Sequence, residues 1–244
     1  MTEPGAAPAP AAARPPAPDL AAPPGRLNNL LFWLFWATFG IAARLWFRVR
    51  VEGRPPLQGA LVLAPNHTSY LDPILLGAVL RRRVTFLMTE VIWRSPLMGW
   101  FYRWNKAIPV SVRNGNREAL RAARSVLEQG RVLGIFPEGG ISRDGGLLLG
   151  NPGAVSLVLA AGAPILPVGI EGAHAAFPVG AWFPRPRRIT IRFGAPILPA
   201  ELEAAAPDRK TRLQAATTLI MQRIARLNGT SAREDELAAP KSAG

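Results

Sequence analysis

The sequence predicts an α/β fold: one domain with a mixed sheet flanked by helices, preceded by an apolar aromatic helix. Three observations carry that prediction. Apolar runs of strand length alternate with segments of helical period, glycine and proline punctuate the ends of those runs, and a charge-free stretch dense in Trp and Phe comes before them. With 244 residues, 49% of them hydrophobic, the chain can bury one substantial core with short appendages. Two domains would be cramped.

Residues 1–25 are almost wholly Pro, Ala and Gly. Such a segment buries too little apolar surface to offset the entropy of ordering, so it is expected to be a disordered arm. From Arg26 the composition changes. No charge occurs between Arg26 and Arg44, and residues 26–47 hold three tryptophans and four phenylalanines. As a helix the uncharged part measures ~26 Å at ~1.5 Å per residue, slightly less than the ~30 Å hydrocarbon core of a bilayer. Residues 26–47 are therefore expected to lie in one leaflet as a membrane-associated helix. A buried helix and a short true span are the alternatives.

The domain is expected over residues 48–228. Residues 48–53 and 60–65 read as strands, the second ended by Pro65. A helix follows, with Thr68 or Ser69 as its N-cap. Residues 83–88 read as a strand, 95–105 as a short aromatic helix and 107–112 as a strand. Residues 117–130 read as a helix closed by Gly130, and 131–139 as a strand running into a glycine turn. A helix over 153–162, strands over 163–172 and 187–194 and a helix from Asp208 to Leu227 complete the pattern. Residues 229–244 are polar and are expected to form a flexible tail.

Composition removes several chemistries. There is no cysteine, hence no disulfide, thiolate metal site or cysteine nucleophile. Only His67 and His174 can supply an imidazole. The net charge of +13 calls for a polyanionic partner. Nucleic acid and anionic lipid both qualify, and the tryptophan-rich run beside the arginines favours lipid over nucleic acid. The arginines at 81–83 and at 185, 187 and 188 are either solvated faces or contacts to anionic groups.

Two constellations carry chemistry. In APNHTSYLDP, His67 follows a buried strand and Asp72 stands five residues later. A carboxylate reaching back to the imidazole would fix its tautomer and free the other nitrogen as a general base. The alternative is a helix-capping pair. A metal site is not expected, since three protein ligands are usual. In GIFPEGGISRDGG, a strand runs into Glu138, Gly139 and Gly140, whose loop suits an anion. Glu138 there either meets substrate hydroxyls or holds an arginine.

Taken together, NHxxxxD, a basic strand end, FPEG and a proline-containing apolar strand resemble the glycerolipid acyltransferase family, which includes bacterial 1-acylglycerol-3-phosphate acyltransferases. The resemblance runs from about Val51 to Leu198. It implies an acyltransferase at the cytoplasmic face of a membrane that moves a fatty acyl group from acyl-CoA or acyl-carrier protein to the free hydroxyl of lysophosphatidic acid. On it, His67 is the base, Asp72 orients it, and no metal or other cofactor takes part. Asn66, Ser69, Arg113, Glu138, Gly139 and Gly140 are the implied substrate-binding residues. Arg113, in IPVSVRNGN, stands one position later than the family's phosphate-binding arginine, and Ser111 replaces an acidic residue. Gly140 to Arg143 depart from the usual FPEGT-Arg-Ser run, and a lysine common before the next helix is missing. Other lysolipid acceptors therefore stay open, as does a non-catalytic lipid-binding protein of the same fold.

Overall fold

A computed structural model describes residues 25–80, 82–96, 99–111, 116–204 and 208–229. Arg113, the arm over 1–24 and the tail beyond 229 lie outside the described residues. The elements in chain order are α1 (Arg26–Trp46), β1 (Arg50–Glu52), β2 (Leu61–Pro65), α2 (Asp72–Val79), β3 (Val84–Thr89), α3 (Glu90–Trp93), α4 (Gly99–Trp104) and β4 (Ile108–Val110). They continue with α5 (Arg117–Glu128), β5 (Val132–Gly134), α6 (Pro152–Leu159), β6 (Ile165–Glu171), α7 (Ala173–Ala176), β7 (Thr190–Phe193), α8 (Pro199–Ala204) and α9 (Arg209–Leu227).

The seven strands form one mixed sheet in the order β1-β7-β6-β2-β5-β3-β4. Among the described strands β6–β7 pair antiparallel and the other pairs are parallel, with one isolated antiparallel bridge between Ile165 and Ile197. Strand β2 lies mid-sheet and every one of its residues is buried, as a continuous apolar run requires of a strand covered on both faces. Its side chains alternate between two cores. Val62 and Ala64 pack with residues of α5, α6 and α9, whereas Leu61 and Leu63 pack with α2 and the end of α1. This is the predicted helix-flanked mixed sheet.

Helix α2 begins at Asp72 rather than at a Thr68 or Ser69 cap, and no side chain caps it. The hydroxyl of Ser69 instead accepts from Leu71 N–H and donates to the Phe177 carbonyl, at 3.2 and 2.7 Å. Helices α3, α7 and α8 are too short to show a period in the sequence.

Helix α1 buries Phe32, Trp36, Gly40 and Ala43 along one stripe. Trp36 lies against Gly77 of α2 and Gly40 against Ala78, so α1 grips the helix that carries Asp72. Rings of Phe32, Phe35 and Trp36 meet Phe101 or Trp104 of α4. The opposite stripe, including Leu27, Leu30, Leu34, Ile41 and Leu45, is exposed. By length and composition α1 can cross a membrane.

Arg82 and Arg83 are not a solvated face. Arg82 donates to the carbonyls of Pro56, Gly59 and Gly130. The Arg83 guanidinium sits 3.5 Å over the Phe32 ring, and burial, with Arg131 next, pushes it down to about 10.

The other core face is as tightly set. A Cβ on Gly169 of β6 would stand 2.3–2.6 Å from backbone atoms of Leu227 and Asn228 at the end of α9. Gly169→Ala is therefore expected to cost about 1–3 kcal/mol by overpacking, read as a fall in the urea midpoint at unchanged slope.

Candidate active site

Strands β2 and β5 are parallel neighbours, so the loops after them emerge side by side from one edge of the sheet. The first loop starts with Asn66, whose amide bonds the Ile170 backbone in both directions, at 3.0 and 2.7 Å. That exchange extends the β2–β6 ladder one residue past Pro65, which has no N–H to give. Asn66 is thus a buried strut between strands.

His67 comes next. Its Nδ1 lies 3.0 Å from Oδ2 of Asp72, and the same oxygen accepts the N–H groups of Thr68 at 2.7 Å and Ser69 at 2.9 Å. Asp72 is fully buried at the first turn of α2. Because an ionised carboxylate only accepts, Nδ1 carries the proton and the lone pair resides on Nε2. Among the described residues no hydrogen bond occupies Nε2, and the side chain is 17% exposed.

The ring plane is held as firmly as its tautomer. It stacks on Phe136 at 3.8 Å and 19°, and Phe136 stacks in turn on Phe86 at 5.6 Å and 12°. Phe86 belongs to the wall of a narrow apolar cleft between α1, α2, β3 and α4, lined also by Phe32, Trp36, Ile74 and Tyr102, with a volume of about 30 Å³. The stack therefore runs from the imidazole to an apolar cavity.

The loop after β5 grips the His67 main chain at both ends. Buried Glu138 accepts His67 N–H at 2.6 Å on one oxygen and Leu148 N–H at 2.8 Å on the other. Ser142 N–H donates to the His67 carbonyl at 2.8 Å. Gly139 takes φ +71° in a turn whose inner side is filled by Asn151, and Gly140 is exposed with open space around it. Asn151 caps α6 through Gly153 N–H and Ala154 N–H.

The structure thus brings His67, Asp72, Asn66, Ser69, Glu138, Gly139 and Gly140 together, with Asn66, Ser69 and Glu138 bonded to backbone. His174, which matched no motif, approaches the same turn, its Nδ1 3.4 Å from the Thr68 carbonyl. Phe136 and Ser142 were missed as supports of His67. The aromatic residue directly before the PEG turn was the one signal for the first, while the second acts through its backbone and leaves none. No three His, Cys, Asp or Glu residues among those described are grouped to hold a metal ion.

The Acyltransferase family model matches residues 48–171, just over half of the chain, a span that includes His67, Asp72, Phe136 and Glu138 but not His174. The chain belongs to the Acyltransferase family. A relative from Limnanthes douglasii, named 1-acyl-sn-glycerol-3-phosphate acyltransferase, is 31% identical over 178 residues, 70% of this chain and 58% of its own length. A lyso-ornithine lipid O-acyltransferase of Pseudomonas aeruginosa is 35% identical over 139 residues, 56% of this chain and 52% of that one. The chain thus spans between half and three fifths of these relatives. The crystal structure of the 1-acyl-sn-glycerophosphate (LPA) acyltransferase PlsC from Thermotoga maritima shares the fold. Its TM-score is 0.63 at 24% identity, over 88% of this chain and 83% of that one.

Proposed function

We propose that this family member is an O-acyltransferase that moves a fatty acyl group from acyl-CoA or acyl-carrier protein to the free hydroxyl of lysophosphatidic acid at the cytoplasmic face of a membrane. The observation that carries the reading is the His67–Asp72 pair, which leaves Nε2 without a hydrogen bond among the described residues, on a ring that stacks through Phe136 onto Phe86 in the wall of an apolar cleft. Nε2 takes the proton of the acceptor hydroxyl as its oxygen attacks the thioester carbonyl. The C–O bond forms, the C–S bond breaks, and the imidazolium returns the proton to the departing thiolate. Asp72, one ring width away, stabilises the imidazolium in between. The names of the relatives and the exposed apolar stripe of α1 support the acceptor class and the membrane setting. A formal charge of +13 suits an anionic leaflet.

A second acceptor class rests on a specific observation. The chain's likeness to the lyso-ornithine lipid enzyme accompanies Ser111 in the place of the family's acidic residue. The test is incubation of the purified full chain with a labelled acyl thioester, as CoA or carrier-protein ester, and a panel of lysolipids resolved by thin-layer chromatography. Labelled phosphatidic acid is expected. Label in ornithine lipid alone, the product of acylating lyso-ornithine lipid, would establish the second acceptor, and no label in any lipid, with the thioester left intact, overturns the reading.

A further inference from the structure

We propose that the loop over residues 178–188 is a second membrane anchor, which inserts Trp182 and Phe183 into the interface of an anionic bilayer beside the α1 helix. The proposal rests on the membrane setting given above and adds a surface to it. Trp182 is 96% exposed and Phe183 59%, in a chain whose other large rings mostly find partners. Burying two such rings in a folded interior would be worth several kcal/mol, yet here they are presented to the outside.

The loop does not present them by default of order. Arg185 N–H donates to the Ala176 carbonyl at 2.7 Å, Ala181 N–H to Pro178 at 3.0 Å and Arg187 N–H to Arg185 at 2.8 Å. At its far end Ile189 N–H bonds the Phe47 carbonyl, and Arg50 N–H bonds the Ile189 carbonyl, which stitches the loop to the end of α1. The Phe183 ring touches Trp46, itself 46% exposed, at 6.3 Å. The aromatic patch of the loop is therefore continuous with the exposed stripe of α1.

Charge identifies the occupant. Arg44 and Arg48 at the end of α1 and Arg185, Arg187 and Arg188 in the loop are all exposed around this patch. No Asp or Glu occurs over residues 26–51 or 172–191. Exposed tryptophans on segments that carry arginine and no acidic residue match the boundary between acyl chains and anionic head groups. The placement also has a consequence for the site. Ser69, in the catalytic turn, donates to the Phe177 carbonyl one residue before the loop begins, so anchoring 178–188 sets the height of His67 above the lipid.

The absence of native cysteine makes a direct test available. Trp182→Cys, Leu34→Cys and Glu128→Cys, each labelled with a nitrobenzoxadiazole probe, are mixed with vesicles of equal parts phosphatidylglycerol and phosphatidylethanolamine. Glu128 ends α5 on the opposite face of the sheet and serves as the reference. The proposal expects the probes at 182 and 34 to brighten, shift to the blue and be quenched by spin-labelled lipid, with the probe at 128 unchanged. Arg185→Gln/Arg187→Gln/Arg188→Gln should lower the vesicle partition coefficient at least about tenfold, since each basic residue near the surface is worth about 1 kcal/mol. A response at 34 with none at 182 overturns the loop anchor and leaves the membrane setting intact. No response at either position overturns both.

Discussion

His67→Ala is expected to remove acyl transfer while leaving the fold in place. Positioned general bases contribute about 10²–10⁴-fold, and a decrease in kcat/KM within that range is the expected reading from thioester consumption. The substitution takes one of three donors from Asp72 Oδ2 and leaves the Thr68 and Ser69 N–H bonds intact, so thermal unfolding should move little. Asp72→Asn is the informative companion. Because all three donors converge on a single oxygen, an asparagine oxygen in that place can accept the same three bonds. The tautomer of His67 then survives and the negative charge is lost, while the asparagine NH₂ takes the place of Oδ1, which is buried with no hydrogen-bond partner among the described residues, so a fall in thermal stability is expected beside the loss of imidazolium stabilisation. Asp72→Ala would instead strand two buried N–H groups and destabilise the turn. A His67→Ala protein that keeps more than a tenth of the wild-type turnover would end the general-base assignment.

The parts of this molecule that were legible in its sequence share a cause. Strands β2 and β6 show as unbroken apolar runs because both of their faces are covered, and the burial that shapes them leaves only one residue type to use. The His67–Asp72 spacing was equally plain, since a turn followed by a helix start brings residues five apart together. What the sequence concealed was the direction of each polar side chain near that pair. Asn66, Ser69 and Glu138 read as a polar wall for substrate, but the chain leaves β2 through Pro65 and turns sharply, which orphans backbone groups. Buried orphans are costly, and these side chains are bonded to backbone around the turn: Asn66 to Ile170, Ser69 to Leu71 and Phe177, Glu138 to His67 and Leu148. The loop over 178–188 has no period at all, so its rigidity became visible only through its backbone bonds to Ala176 and Phe47.

Glu138→Gln should distinguish a strut from a substrate ligand. The carboxylate accepts a backbone N–H on each oxygen, from His67 and from Leu148. A glutamine has one oxygen and one NH₂, so either flip sets a donor against a donor and leaves a buried N–H unpaired. That costs about 1–3 kcal/mol, equivalent to a fall in Tm of about 2–12 °C for a domain of this size. The His67 bond is the shorter of the two, and its loosening lets the imidazole drift from the reacting hydroxyl. A displacement of ~1 Å costs about 10²-fold in rate. The strut thus predicts a lower Tm and a lower kcat with KM nearly unmoved. A glutamate that instead met a substrate hydroxyl would show a raised KM with an unchanged Tm, and that pattern would reassign Glu138 from holding His67 to holding the acceptor.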